Sequence, residues 1–280
     1  MNPLKLRRLL QSFFDEDIGD RDITSTSIFR TNKKGKGTFI AKEDGIISGL
    51  EIIREAYHLF DTSICVHTYR TDGEPVQKGD VIAEVIGPIV HLLTGERVIL
   101  NLLQRLSGIA TLTRKSVLAL NDPNTQICDT RKTMPGLRML EKYAVTTGGG
   151  KNHRFGLYDG VMIKDNHISF CGSITEAVQR VRDQTGHMVN IEVETETKEQ
   201  VLEAVAAGTD IIMFDNCDPA RVRKFSAYVP SGIVTEASGG ITLENLKDYR
   251  GTNVDYISLG FITHSAKALD ISLEVSEEGN

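Results

Sequence analysis

Val189-Asn190-Ile191-Glu192-Val193-Glu194, then a stretch of helical spacing over residues 199–207, then Asp210-Ile211-Ile212-Met213-Phe214-Asp215 form one strand–helix–strand unit. Two short apolar runs joined by a helix-length crossover must lie parallel, because a parallel pair needs a long connection on one face of its sheet. The same alternation continues in both directions from this unit. Strands are expected at residues 126–130, 160–164, 189–194, 210–215, 233–237 and 255–259, with further helical spacing at 219–228 and 243–249. Such a pattern predicts a β/α barrel, in which chemistry gathers at the C-terminal strand ends. Six strands are fewer than eight, so either the barrel is open or one strand escapes the pattern.

Each strand does end on residues suited to chemistry: Asp129-Thr130-Arg131-Lys132, Lys164-Asp165, Glu192 with Glu194, Asp215-Asn216, Ser238-Gly239-Gly240, and Gly260 leading to His264. The chain is acidic, at net charge −6, yet concentrates Arg131, Lys132, Arg154 and Lys164 at neighbouring strand ends. Screening beyond about 8 Å leaves local charge to decide what binds, so these four point to a pocket for a small polyanion. The plainer alternative pairs each cation with a carboxylate on the rim. Ser238-Gly239-Gly240 and Gly260 to His264 follow the last two strands, where a barrel cradles phosphate on bare backbone N–H groups. Alternation sends Glu192 and Glu194 to one side of their strand. With Asp215 they could bind sugar hydroxyls, hold Mg²⁺, or serve as counterions for Lys164 and Arg131. His153 and His264 are candidate donors to anionic oxygens.

The first 108 residues read differently. Turn signals at Glu43-Asp44-Gly45, Thr71-Asp72-Gly73 and Lys78-Gly79-Asp80 separate short β-like runs, giving a smaller α+β module. A helical pattern over residues 94–120 carries an apolar stripe, while Arg97, Asn101 and Arg105 recur on another face that suggests a site or a subunit contact. The expected domains are residues 1–108 and a barrel over 109–267, with the alternating 268–280 segment returning to the first. The four cysteines form no C-x-x-C pair, so neither a disulfide nor a zinc framework is implied. The N-terminus lacks a signal peptide's apolar core, and no run approaches the roughly 20 residues that span a bilayer. A cytoplasmic protein with no membrane or nucleic-acid partner is expected.

With these residues laid out, the chain resembles the quinolinate phosphoribosyltransferase family of type II phosphoribosyltransferase fold. The motifs that carry the likeness are Glu16-Asp17-Ile18-Gly19, Gly95-Glu96-Arg97, Gln104-Arg105, Asp129-Thr130-Arg131-Lys132-Thr133, Glu141-Lys142-Tyr143-Ala144-Val145, Asn152-His153-Arg154 and Ile163-Lys164-Asp165-Asn166-His167. Family patterns often have Thr where Met134 stands. The resemblance implies an open seven-stranded β/α barrel beside a smaller α+β N-terminal domain. It also implies transfer of phosphoribosyl from phosphoribosyl pyrophosphate to quinolinate with decarboxylation, for NAD biosynthesis. It implies catalytic roles for Lys132, Lys164, Glu194 and Asp215, the last two also holding Mg²⁺. The implied substrate-binding set is Arg97, Thr130, Arg131, His153, Arg154, Lys164, Ser238, Gly239, Gly240, Gly260 and His264, with Arg97 reaching the partner's site in a homodimer.

Two rival readings rest on single features. Lys164 or Lys132 could form a Schiff base, as in aldolases, although three flanking cations exceed what that chemistry needs. The segment Asp72-Gly73-Glu74-Pro75-Val76-Gln77-Lys78-Gly79-Asp80 resembles a lipoyl-carrier hairpin but lacks a separate modifiable lysine hairpin.

Overall fold

The computed structural model describes residues 1–30 and 33–277, which divide into two compact units. The first comprises the described residues of 1–114, 134–149 and 265–277; the second comprises 115–133 and 150–264. The helix over residues 138–147, which the sequence reading placed in the barrel, thus belongs to the first unit.

In the first unit, α1 (Pro3–Ile18) starts where the Asn2 side chain accepts the Lys5 N–H and Pro3 pre-sets the first turn. It buries Leu6, Leu10 and Phe14 along one face. After the short α2 (Ile23–Ile28) come β1 (Lys34–Ala41), β2 (Gly45–Ile46), α3 (Leu50–Phe60), β3 (Cys65–Thr68), β4 (Pro75–Val76) and β5 (Val81–Pro88). The helix α4 (Ile89–Leu120) then begins in this unit. Strand β1 alternates buried and less buried positions, and β5 does so after the buried pair Ile82-Ala83, as a sheet with one better-covered face requires. The C-terminal strand β12 (Ile271–Glu277) pairs antiparallel with β1, giving the order β12-β1-β5-β3. The start of α3 has no side-chain cap of its own. Asp72 supplies one from a distant turn, its carboxylate accepting the N–H groups of Gly49 at 3.0 Å and Leu50 at 3.1 Å. Of the polar face read on α4, Arg105 is ion-paired at 2.7 Å to Glu141, a fully buried residue of α5 (Arg138–Thr147).

The second unit carries β6 (Gln126–Cys128), β7 (Val161–Ile163), α6 (Asp165–Cys171), α7 (Ile174–Gln184), β8 (Ile191–Thr195), α8 (Lys198–Ala206), β9 (Ile211–Asp215), α9 (Pro219–Ser226), β10 (Val234–Ser238), β11 (Tyr256–Ser258) and the one-turn α10 (Phe261–His264). All six strands fall within the expected segments or overlap them by their cores. They pair parallel in the order β6-β11-β10-β9-β8-β7. Local chemistry starts the crossovers: Ser173, Thr197 and Asp218 each accept an N–H from the first turn of α7, α8 and α9. Ile191, Val193, Ile212 and Phe214 are buried, as strands covered on both faces demand. A seventh strand position exists in reduced form, for Lys151 bridges Cys128 in parallel and bonds Ile127 O at 2.8 Å. Glycines before it and polar residues after it leave no apolar run to extend that pairing.

Candidate active site

The parallel registers set the strand ends level with one another. Ser238 at the end of β10 lies opposite Asp215 at the end of β9, and Glu194 on β8 lies opposite Met213 on β9. Above these ends opens a cleft of about 410 Å³ lined by Thr130, Arg131 and Lys132 after β6, by His153 and Arg154, and by Lys164 after β7. Its other walls are Glu194, Asp215, Ser238, Gly239 and Gly240. The four cations named from the sequence therefore face one cavity together with both candidate metal carboxylates.

Gly260 and His264 stand at its edge. A Cβ on Gly260 would lie 2.9 Å from the Lys132 side chain and 3.3 Å from the His264 ring, and Thr263 donates to Lys132 O at 2.9 Å. The last turn thus shapes the path of Lys132. Gly239 adopts φ +85°, and a Cβ there would fall 2.8 Å from the Asn216 backbone nitrogen. Only glycine gives a left-handed backbone and that close approach together. Arg97 lies on α4 in the first unit, 61% exposed and 4.0 Å from Glu96.

Burial and opposing charge hold the site in tension. The Lys164 ammonium bonds the Glu194 carboxylate directly. Rim pairing thus describes Lys164, but inside the cleft rather than outside it. Burial pushes the Glu194 carboxyl up, Lys164 pulls it back, and the Asp215 and Glu192 charges push it up further. Asp215 is likewise raised by burial against the pull of Lys164 and Lys132. Burial lowers the Arg154 guanidinium, assisted by repulsion from Arg131. One Arg154 nitrogen donates to Gly160 O at 2.8 Å, while its buried Nε–H finds no acceptor among the described residues. A buried donor without an acceptor costs about 1–3 kcal/mol. A lysine ion-paired to a carboxylate serves as a positive charge rather than as the free amine a Schiff base requires.

Three groups of the cleft, Met162, Met213 and Ser258, were not singled out in the sequence, and Asn216 was named there only as a strand-end residue beside Asp215. Asn216 has φ +50° and donates from Nδ2 to Asp215 Oδ2 at 2.9 Å, so it aims that carboxylate. Its signal was legible, because asparagine is among the few residues that take left-handed backbone at a strand end. Beneath the cleft, buried Glu236 on β10 lies 3.7 Å from His153 Nε2. Glu194 and Asp215 fit Mg²⁺ by donor type: two hard oxygen ligands at adjacent strand ends, close enough to repel, match an ion that combines one or two carboxylates with substrate phosphates.

A parallel β/α unit whose strand ends join four cations, two carboxylates and a glycine cradle defines the class of barrel enzymes that work on small polyanions. The particular family follows from comparison with known proteins. Residues 22–107 match the N-terminal domain of quinolinate phosphoribosyl transferase and residues 109–274 match its C-terminal domain. The chain belongs to this family. A Bacillus subtilis (strain 168) protein named probable nicotinate-nucleotide pyrophosphorylase (carboxylating) is 59% identical over 276 residues, spanning 99% of this chain and 95% of its own. A Nicotiana glauca protein named quinolinate phosphoribosyltransferase (decarboxylating) 2, mitochondrial, is 39% identical, spanning 98% of this chain and 83% of its own. The crystal structure of NadC from Streptococcus pyogenes, 39% identical, superposes with a TM-score of 0.96 and covers 99% of each chain.

Proposed function

We propose that this chain transfers the phosphoribosyl group of phosphoribosyl pyrophosphate to the ring nitrogen of quinolinate, releasing pyrophosphate and CO₂ and forming nicotinate mononucleotide, a step of NAD biosynthesis. The observation that carries the reading is the convergence of Arg131, Lys132, Arg154 and Lys164 on one cleft with Glu194, Asp215 and the Ser238–Gly240 turn.

A pyridine nitrogen attacks with a lone pair and has no proton to lose. The reaction therefore needs no general base, in keeping with a cleft built of fixed charges. Arg131 and Arg154 offer planar forks to the quinolinate carboxylates, with Lys164 as a further point charge. Each such bond is worth about 1.5–3 kcal/mol, and their shared geometry fixes the ring nitrogen against the sugar carbon. Backbone N–H groups of Gly239, Gly240 and Gly260, with Ser238 and His264, receive the 5′-phosphate.

As pyrophosphate departs, negative charge grows on the leaving group and positive charge on the sugar. Lys132 meets the first, and the carboxylates of Glu194 and Asp215 lie on the side of the second. These two carboxylates would also hold Mg²⁺, which would supply positive charge to the leaving group. The Lys164–Glu194 pair keeps both groups preorganised at a fixed separation. Once the ring nitrogen is cationic, the adjacent carboxylate is lost as CO₂, because the electron pair left behind sits beside that cation. Met162 and Met213 make part of the wall apolar, which strengthens this attraction.

The proposal includes a homodimer in which Arg97 reaches the partner's cleft, and a cytoplasmic location. No helix among the described residues is long and apolar enough to cross a membrane. The deciding assay supplies Mg²⁺, phosphoribosyl pyrophosphate and either quinolinate or nicotinate, and measures CO₂ and mononucleotide. Product and CO₂ from quinolinate alone are expected. Turnover of nicotinate instead would overturn the assignment.

A further inference from the structure

The Arg154 guanidinium is held in the cleft by a backbone carbonyl. One of its nitrogens donates to Gly160 O at 2.8 Å, and a Cβ on Gly160 would touch the Arg154 Cβ and Cδ at 3.7 and 3.9 Å. Five residues, Phe155-Gly156-Leu157-Tyr158-Asp159, separate the two and decide where that carbonyl points. They form neither helix nor strand, and within one protomer Leu157 and Tyr158 are exposed, so apolar packing does little to fix the turn. Its backbone donors need another partner. Asp159 takes two of them: Oδ2 accepts the Phe155 N–H at 2.7 Å and Oδ1 accepts the Gly156 N–H at 2.8 Å. One carboxylate gripping two successive N–H groups closes the turn on itself.

We propose that Asp159 is a positioning residue for Arg154: by clamping the Phe155 and Gly156 N–H groups it fixes the Gly160 carbonyl, and that carbonyl holds the guanidinium in place for a substrate carboxylate.

The proposal deepens the reading given above and rests on it for the identity of the ligand. Asp159 is not among the groups that line the cleft, so it acts on the substrate only through Arg154. A guanidinium placed before binding loses little side-chain freedom on binding, which is the source of preorganised affinity. Charge works in the same direction. Burial and then repulsion from Arg131 lower the Arg154 guanidinium, and Asp159 is one of the carboxylates that counter them.

The effect is local. Asp159 is exposed and belongs to no apolar core, so losing its carboxylate loosens one turn rather than the fold. Strand β7 begins at the next residue but one and is held by its own parallel ladder to β8, from Val161 opposite Ile191 to Ile163 opposite Val193. Lys164 therefore keeps its place when the turn is loosened, and Arg154 alone is released.

One arm of the test uses no substrate, which separates it from failure of the proposed activity. The full chain is labelled with ¹⁵N-arginine, and the Arg154 Nε–H signal is identified by its loss in Arg154→Lys. Because that Nε–H is buried, a single signal in slow exchange with water is expected. Asp159→Ala should broaden the signal or speed its exchange about tenfold. A parent signal already averaged by exchange, or one that Asp159→Ala leaves unchanged, would overturn the proposal. The second arm is kinetic. Asp159→Ala should raise KM for quinolinate about tenfold, with kcat and KM for phosphoribosyl pyrophosphate changed less than threefold. Asp159→Asn, which keeps one of the two acceptors, should fall between that variant and the parent. Equal rises in both KM values, or loss of kcat alone, would reduce Asp159 to a structural role. In an Arg154→Ala background, adding Asp159→Ala should change KM for quinolinate less than twofold, because the group it positions is gone. A further tenfold rise there would sink the idea. Should the parent turn over no quinolinate, the proposed activity falls and the Nε–H signal decides this inference by itself. Should Asp159→Ala fail to fold, Asp159→Asn carries both arms.

Discussion

At the scale of single residues, the cleft is a problem of charge kept out of water. Arg131 and Lys164 face the same space, and truncating either removes a positive charge that meets a substrate carboxylate or the half-buried Glu194. Arg131→Ala and Lys164→Ala are each expected to lower turnover by at least a hundredfold, with circular dichroism and melting temperature near those of the parent; near-normal rates in both would remove the basic-pocket reading. The buried carboxylates give a second expectation, in pH. Burial and then the charge of Glu192 push the Glu236 carboxyl up to about 8 from an ordinary 4.5, so the fold favours its protonated form. That contribution is whole below pH 4.5 and is lost as pH rises toward 8. Glu236→Gln, which imitates the protonated acid, should therefore gain stability over the parent as pH rises from 5 to 8. Denaturant midpoints across that range would reveal it, and a gap that narrows with rising pH would contradict it.

At the scale of elements, what could be read from the chain was what period and strand-end chemistry encode. The strand cores at β7, β8 and β9 follow from short apolar runs, and Lys164, Glu194 and Asp215 follow as the polar residues at their ends. Glu236 escaped notice because it sits inside the run Val234-Thr235-Glu236-Ala237-Ser238, where no motif marks it. Alternation does put it on the same side as Ser238, a residue already chosen, so a charge in mid-strand was the available signal. The seventh strand was beyond reach for a different reason: one bridge at Lys151 leaves no periodicity to detect. The grouping of α5 with the first unit was hidden too, since it shows only in long-range contacts, the pair of Arg105 with buried Glu141 among them. Two elements carry predictions of their own. Asp72 caps α3 through space and also receives the Tyr143 hydroxyl at 2.6 Å. Asp72→Ala should cost about 2 kcal/mol, visible as a melting temperature several degrees lower, whereas an unchanged melt would mean the cap is replaced by water. At the phosphate turn, Gly239→Ala forces a side chain onto φ +85° and against Asn216. It should raise KM for phosphoribosyl pyrophosphate about tenfold or more while leaving that for quinolinate within threefold, and equal effects on both would deny the turn its specific role.

At the scale of the whole molecule, the remaining question is how many chains complete one site. Arg97 is exposed on α4, and its nearest acidic partner lies 4.0 Å away, a weak tether for a guanidinium. On the second unit the apolar side chains of Leu157, Tyr158, Phe170 and Met188 are 75%, 82%, 94% and 83% exposed, surface that a second copy would cover in the proposed dimer. Both features fit a homodimer whose Arg97 enters the partner's cleft. Mixing settles it by arithmetic. An Arg97→Ala chain carries a sound cleft but lends none of its own Arg97; a Lys164→Ala chain lends Arg97 but has a broken cleft. In a heterodimer of the two, one cleft has both residues and the other has neither. Random association of equal amounts puts half of the dimers in that form, each with one working site of two, so about a quarter of the parent activity should return from two inactive parents. If Arg97 instead serves its own subunit, every cleft in the mixture lacks one residue or the other, and heterodimers verified by mass would stay as inactive as the proteins they were made from.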